Sequence, residues 1–230
     1  MSTYGWAVKV AQSHSDVNLA SLTKTELELR SRLLEWISQD NERVRALDIV
    51  QRCAKQYPIP QWCIAAGFVR NLVWDRLHGF ELSPLNDIDL IYFCPLDIRP
   101  ERDAAIEAYL KQLAPDLPWS VKNQARMHLK NQDPAYTSCA DAMTYWPEFE
   151  TAIGIYVSDV GEYDKNTQVT AEQSLSSQCA TSYELVAPFG LYALFNLTLR
   201  ANPRRSLLIF EQRVSAKGWL RQYPLLKLMS

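Results

Sequence analysis

Residues 62–93 read WCIAAGFVRNLVWDRLHGFELSPLNDIDLIYF, and this stretch decides the fold. Its patterns follow one another as a short apolar strand, a glycine, an amphipathic helix, a polar loop and a second apolar strand. A strand that passes through glycine into a helix brings backbone N–H groups close to a phosphate. The second strand opens with two aspartates, so the stretch predicts a phosphate site with a divalent cation beside it.

The first half of the stretch places a glycine at the start of a helix. Apolar residues recur there with the spacing of one buried helix face: Val69, Leu72, Val73 and Leu77. Gly67 precedes this run and permits a tight turn or a close backbone approach. The free N–H groups and the dipole of a helix N-terminus favour a bound anion. Arg70 lies in the first turn, where it can pair with a phosphate or form a structural salt bridge with a carboxylate.

The second half of the stretch carries an Asp-x-Asp pair. Side chains alternate along a strand, so Asp87 and Asp89 point to the same side, with their Cα atoms ~7 Å apart. Two neighbouring carboxylates repel each other unless a cation neutralises them. Mg²⁺ prefers oxygen ligands and leaves room for substrate phosphates. A simpler interpretation is also open, in which Asn86 and Asp87 are turn residues that close the preceding loop.

Four short motifs of the chain resemble those of a known superfamily. They read AAGFVRN at 65–71, NDID at 86–89, VKNQARMH at 121–128 and APFGL at 187–191. The first two resemble the head-domain signature of the polymerase-β-like nucleotidyltransferase superfamily, in the form found in CCA-adding enzymes and poly(A) polymerases. The four together are similar to a bacterial family of nucleotidyltransferase-like proteins, and the resemblance covers roughly residues 30–225.

The resemblance implies a role for each matching residue. Asp87 and Asp89 would be catalytic and would hold Mg²⁺ or Mn²⁺. Gly67 would let the backbone approach the triphosphate of an NTP. Arg70 and Asn71 would line or brace that site.

The resemblance also implies a third carboxylate from a later strand. Glu150, before the expected strand TAIGIYV, is one candidate, and Glu184, in YELVAP, is another. Each has an alternative interpretation as a solvated acid at the end of a strand.

The segment 121–128 is rich in hydrogen-bond donors. Lys122, Asn123 and Arg126, together with Gln124 and His128, suit contacts to a phosphate or a nucleobase. A hydrogen-bonded surface turn would explain the same residues. We therefore expect Lys122, Asn123 and Arg126 to bind the nucleotide, with the turn as the alternative.

The order of predicted elements favours an α+β class, with a polymerase-β-like fold of a small mixed sheet and helices packed mainly on one side. We expect a disordered tail over 1–20 and one domain over 21–230. A helical element is predicted over 24–56 and a further helix over 135–145, and helices are predicted to continue to the C-terminus. The polar stretch 158–182 is predicted to be an extended hairpin or a mobile loop.

The segment 200–230 is expected to be helical and basic, since it holds seven Lys or Arg residues against Glu211 alone. It could hold an acidic acceptor such as RNA, or it could be the solvated face of a helix. A net charge of −2 over 230 residues argues against nonspecific coating of nucleic acid.

Cysteine usage and the start of the chain bear on its location. The five cysteines form no CxxC motif, which fits a reducing cytoplasm. The first residues lack the pattern of a signal peptide, and no apolar stretch is long enough to cross a membrane. We therefore expect a cytoplasmic protein.

These features favour an enzyme that transfers an NMP from an NTP to an acceptor hydroxyl or phosphate and releases pyrophosphate. Catalysis would come from positioning and charge stabilisation. The acceptor could be RNA, a protein side chain or a small molecule. Two alternatives stay open: a toxin-type transferase that modifies tRNA, and a non-catalytic nucleotide-binding or regulatory protein with the same fold. The sequence leaves the oligomeric state undetermined.

Overall fold

A computed structural model describes residues 23–158 and 182–229 of the chain. Within these ranges the helices are α1 Lys24–Ser38, α2 Asn41–Gln56, α3 Gly67–His78, α4 Pro100–Leu113, α5 Met127–Asn131, α6 Cys139–Met143, α7 Tyr192–Phe195, α8 Leu207–Lys217 and α9 Trp219–Gln222. The tail 1–20 and most of the predicted loop 158–182 lie outside the described residues. No helix of the described part is both long and apolar enough to span a bilayer.

The strands of the described ranges form one five-stranded sheet and one two-stranded sheet. They are β1 Cys63–Ala65, β2 Ile88–Tyr92, β3 Trp119–Asn123, β4 Gly154–Ser158, β5 Ser182–Val186, β6 Thr198–Arg200 and β7 Lys227–Met229. The larger sheet has the order β3-β2-β1-β4-β5. Only β2 and β3 pair in parallel within it, so the sheet is mixed, as predicted.

Alternation along the strands gives the larger sheet two different faces. Ile64 of β1, Leu90 of β2 and Ile155 of β4 belong to the main core, to which α1 to α4 contribute their buried residues. The opposite face carries Cys63 and Ile91 and packs against a smaller cluster. The long helices therefore lie mainly on one side, which confirms the predicted α+β class.

Polar caps set the ends of the N-terminal helices. The side chain of Thr23 accepts a hydrogen bond from the N–H of Glu26 at the start of α1. Asp40 does the same for α2, where its side chain accepts from the N–H groups of residues 42 and 43. An N-cap of this kind satisfies N–H groups that the helix itself leaves free. The predicted helical region 24–56 is therefore two helices that meet at Asp40.

Three segments differ from the predictions. The segment 200–230 is not helical throughout, because β7 runs parallel to β6 after α8 and α9. The helix expected over 135–145 is only α6, since Ser138 caps it by accepting from the N–H of Asp141. The strand expected from residue 151 begins at Gly154, and a 3-10 helix, Phe149–Thr151, precedes it.

Candidate active site

A cleft of about 540 Å³ opens where β1 ends and α3 begins. Its walls come from the β1–α3 junction, the loop before β2, the region from β3 to α5, the segment before β4, and the end of α8 with α9, and α2 adds one residue. Asp87 and Asp89 line this cleft together with Gly67, Arg70 and Asn71, which sequence analysis singled out. The two halves of the stretch 62–93 thus meet in one place.

The junction between β1 and α3 is strained. Ala66 has φ 55° and ψ −119°, a conformation that glycine adopts far more easily. Gly67 is the first residue of α3, so the tight turn predicted at Gly67 lies one residue earlier. A Cβ atom at Gly67 would come within 3.4 Å of the guanidinium of Arg70 and within 3.6 Å of the amide of Asn71. These are ordinary van der Waals distances, so a methyl group would fit, and glycine leaves additional open space beside the helix N-terminus.

The two aspartates are unpaired acids. Asp87 is exposed just before β2, and Asp89 lies in β2 opposite Ala65 of β1 and Ser120 of β3. Within the described residues neither carboxylate takes part in a hydrogen bond or an ion pair. Burial, and next the charge of Asp87, raise the pKa of Asp89 to about 6, against the opposing charges of three nearby basic residues. Asp89 is therefore a carboxylate that a cation would stabilise.

Arg70 is a buried cation in the wall of the cleft. Its guanidinium donates to the Oδ1 atom of Asn71 from Nε at 3.2 Å and from Nη2 at 2.9 Å. It also lies between two indole rings, 4.9 Å from the centroid of Trp74 and 4.6 Å from that of Trp219. Burial lowers the pKa of Arg70 to about 10. The alternative of a structural salt bridge is not seen among the described residues, and Arg70 keeps a positive charge that no carboxylate pairs.

Sequence analysis missed one wall of the cleft. Arg213 and Lys217 of α8, with Trp219 and Gln222 of α9, form what we call the C-terminal wall. Lys217 lies close enough to Asp89 to oppose the rise of its pKa. The signal in the sequence was the spacing of four between Arg213 and Lys217, which puts both charges on one side of a helix.

Of the three residues expected to bind the nucleotide in segment 121–128, only Lys122 lines the cleft. Gln124 of the same segment also contributes to the lining. Asn123 is fully buried, and its side chain bonds the backbone N–H of Cys94 at 3.0 Å and the carbonyl of Cys94 at 2.8 Å. Arg126 forms an ion pair with Asp103. Asn123 and Arg126 do not line the cleft, so the structure separates them from the predicted nucleotide-binding set and gives them structural partners.

The two candidates for a third carboxylate also lie outside the cleft lining. Glu150 is buried in the 3-10 helix and accepts from the N–H of Arg200 at 2.9 Å and from its Nε at 3.0 Å. Burial raises the pKa of Glu150. Glu184 lies on β5, three strand spacings or ~14 Å from β2. Neither is placed to complete the site of Asp87 and Asp89.

The donors in the cleft fit a divalent cation that shares its ligands with a substrate. Asp87 and Asp89 offer hard oxygen atoms, which Mg²⁺ and Mn²⁺ accept. Among the described residues no group of three or more His, Cys, Asp or Glu side chains forms a metal cage. Mg²⁺ commonly binds through one or two carboxylates and completes its shell with water and phosphate oxygens. The pair therefore fits a cation held jointly with a phosphate.

Comparison with known proteins bears on the family and the fold of the chain. A family model described as "Nucleotidyltransferase" matches residues 52–228. An NMR structure titled as a CCA-adding enzyme head domain is similar over 87% of this chain and 95% of its own, with 26% identity and a TM-score of 0.67. A complex of a CCA-adding enzyme with CTP is similar over 86% of this chain and 42% of its own, with 14% identity and a TM-score of 0.51. None of the curated proteins compared with the chain matches it.

The fold is similar to that of a CCA-adding enzyme head domain. The chain belongs to the nucleotidyltransferase family, since the family model covers most of its length. Membership of this family supports nucleotidyl transfer as the general reaction. The cation, the donor and the acceptor are finer questions, which depend on the residues of the cleft.

Proposed function

We propose that the protein is a divalent-metal-dependent nucleotidyltransferase. It takes an NTP, transfers the NMP to an acceptor hydroxyl or phosphate, and releases pyrophosphate. The observation that carries this proposal is the meeting of two unpaired carboxylates with unpaired cations in one cleft at a helix N-terminus. A triphosphate is the ligand that needs both kinds of charge, because it binds cations through its oxygens and itself requires a metal ion for transfer.

The residues of the cleft divide into two groups by charge. Asp87 and Asp89 would hold Mg²⁺ or Mn²⁺. The bound cation would neutralise negative charge on the phosphates. The second group consists of cations that have no ion-pair partner within the described residues: Arg70, Lys122 and Lys217. These three cations would contact phosphate oxygens, because charge-assisted hydrogen bonds of this kind are short and strong.

The first turn of α3 would receive part of the triphosphate. The helix has no side chain at its N-cap that hydrogen-bonds its free N–H groups. A phosphate can take that place, since the N-terminus of a helix carries a partial positive charge. The absence of a side chain at Gly67 keeps this approach open. Asn71 holds the guanidinium of Arg70 beside it through two hydrogen bonds.

The proposal is tested by a transfer assay. The purified protein is incubated with each α-³²P-labelled NTP, Mg²⁺ or Mn²⁺, and total RNA, total protein or a small-molecule extract as the acceptor. The wild type should label one acceptor class and release pyrophosphate. The Asp87→Asn/Asp89→Asn variant should lose ~10³-fold or more of this activity, because charge stabilisation is the main source of catalysis here.

Asp48→Asn is the matched control, since Asp48 is an exposed acid on α2 that does not line the cleft. It should keep full activity. Equal loss in both variants would contradict the assignment of the site. NTP binding without transfer to any acceptor class would favour the non-catalytic alternative, in which the fold binds a nucleotide and regulates another protein. Growth arrest on expression that disappears in the double variant would favour a toxin-type enzyme.

A further inference from the structure

A second surface of the molecule is exposed and apolar, and it lies behind the C-terminal wall. Seven of the fifteen exposed large hydrophobic residues in the described ranges fall within 207–229: Leu207, Leu208, Ile209, Leu220, Leu225, Leu228 and Met229. Their exposed fractions run from 39% to 60%. Single exposed apolar residues are ordinary, but the concentration of seven in one short segment points to an interaction surface.

This surface contains a groove of about 410 Å³. Its apolar lining consists of Phe210 and Val214 of α8, Leu220 of α9 and Leu228 of β7, and its charged lining consists of Glu211 and Arg221. We call this set the apolar groove. Phe210 and Val214 are buried and form its floor, while Leu220 and Leu228 are exposed at its sides.

The charges of the apolar groove identify its occupant. Glu211 and Arg221 are both exposed, and within the described residues neither forms an ion pair. In a two-fold contact between identical chains, residue i meets residue j and residue j meets residue i. The one acid and one base in the groove lining are therefore complementary to those of a second copy of the lining. An anionic surface such as a membrane would instead meet the carboxylate of Glu211.

The edge of the small sheet points to the same occupant. Among the described strands β7 pairs only with β6, and its three residues Lys227–Met229 are exposed. The outer edge of such a strand offers unpaired N–H and C=O groups to another chain. Leu228 belongs both to this strand and to the lining of the apolar groove, so the edge and the groove form one surface.

From these observations we infer that the apolar groove is the interface of a homodimer. Glu211 of one chain pairs with Arg221 of the partner subunit, and the symmetric pair forms on the other side of the axis. The exposed leucines of residues 207–229 pack between the two pairs. Burial of these side chains supplies the main driving force, because the removal of apolar surface from water stabilises the contact in proportion to its area.

The interface would also support the proposed active site. Helix α8 presents Glu211 and Val214 to the apolar groove and Arg213 and Lys217 to the cleft. A partner seated on one side of α8 therefore restrains the cations on the other side. The dimer itself does not depend on the proposed function, so its test uses the mass of the protein in solution.

The experiment is sedimentation equilibrium of the full chain over a wide range of concentration. The wild type should form dimers. Glu211→Arg and Arg221→Glu should each weaken association by roughly tenfold or more, because each change places two like-charged contacts across the axis. The double variant Glu211→Arg/Arg221→Glu should restore dimers to within a few-fold of the wild type, since the exchanged charges are again complementary.

Leu208→Ser is an independent variant that removes apolar contact without a change of charge. Leu208 is 60% exposed in the single chain, so the loss of its side chain should leave the monomer folded while it weakens the dimer. A wild type that stays monomeric at every concentration would overturn the inference. Two single variants that weaken association without restoration in the double variant would also overturn it. Binding of the monomer to anionic lipid vesicles would assign the surface to a membrane instead.

Discussion

Two of the acid-x-acid pairs in the chain have opposite environments. Asp87 and Asp89 lie at the mouth and in the wall of the cleft, without a hydrogen bond or an ion pair in the described residues. Glu148 and Glu150 have side chains with no exposed surface, and each pairs with an arginine, Arg213 at 2.6 Å and Arg200 at 3.0 Å. The same spacing of acids thus gives a candidate metal site in one place and a structural network in the other.

The difference shows which property defines a candidate metal site. A carboxylate that already accepts from an arginine and from backbone or hydroxyl groups has its charge compensated and few lone pairs left for a cation. Glu148 also accepts from the hydroxyl of Thr151 at 3.0 Å, and its charge helps to keep Arg70 protonated against burial. Glu148 therefore holds Arg213 of the cleft in place, and Glu150 holds an arginine outside the cleft. The aspartates remain free for a metal.

The largest expected change in the free energy of unfolding comes from the buried ion pair of Glu148 with Arg213. Glu148→Ala should lower the free energy of unfolding by about 3 kcal/mol, because removal of one partner of a buried ion pair leaves the other uncompensated. Arg213 is 41% exposed and keeps part of its hydration, which limits the loss. Urea denaturation measures the change. Glu184→Ala, at a partly exposed acid outside both pairs, should cost less than ~1 kcal/mol. Equal losses in the two variants would show that the buried pairing of Glu148 adds no stability.

Replacement of Asp89 should change the free energy of unfolding in the opposite direction. Its folded pKa of about 6 lies above the usual value because of burial, so the folded state disfavours the charged form. Asp89→Asn should therefore raise the free energy of unfolding at pH 7 by about 2 kcal/mol in the absence of metal.

The pH dependence gives a sharper check of the same prediction. The stabilisation by Asp89→Asn should be absent below pH ~4, where the acid is neutral in both states, and should grow as the pH rises toward 6. Thermal melts across this range measure it. A variant less stable than the wild type at pH 7 would show that Asp89 gains more from its neighbours than it loses through burial.

A divalent cation should stabilise the folded protein only through Asp87 and Asp89. At ten times the dissociation constant, Mg²⁺ should raise the free energy of unfolding of the wild type by about 1.4 kcal/mol. The Asp87→Asn/Asp89→Asn variant should show no such rise. The effect in the wild type should fade as the pH drops below 6, because protonation of Asp89 competes with the metal. Stabilisation that survives in the double variant would place the cation elsewhere.

The smallest effect concerns the turn beside the aspartates. Ala66→Gly should stabilise the fold by about 1 kcal/mol, since glycine relieves the positive φ but loses more conformational entropy on folding. Ala65→Gly, at the neighbouring buried strand position, should destabilise by about as much. The two variants compared in one urea series separate relief of strain from loss of a methyl group.

The part of the site that lies within 62–93 could be predicted because its signals are local. A periodic helix, a glycine and an alternating strand each show in a few consecutive residues, and β1 and β2 pair directly. The sequence pattern put the turn at Gly67, although the positive φ is at Ala66. Nothing in the side chain of alanine signals a strained backbone, which the surrounding structure imposes.

The C-terminal wall could not be placed from the sequence because its position depends on long-range packing. The ring centroids of Trp219 and Trp74 lie 5.8 Å apart. The two residues are far apart in the sequence, so no local pattern predicts this contact. The partners of the acids were hidden for the same reason: Glu150 and Arg200 are far apart in the chain. Asn123 and Arg126 carry donors that suit a nucleotide. In the folded protein, however, these donors bind other residues of the same chain.

Helix α8 is a shared element, because one side of it completes the cleft and the other side forms the apolar groove. A chain shortened at Ser206 would retain the five-stranded sheet and both aspartates. It would lose Arg213 and Lys217, and the indole of Trp219 that covers Arg70. The smallest fragment that preserves the whole cleft therefore extends at least to α9, even though the motifs recognisable in the sequence end near residue 191.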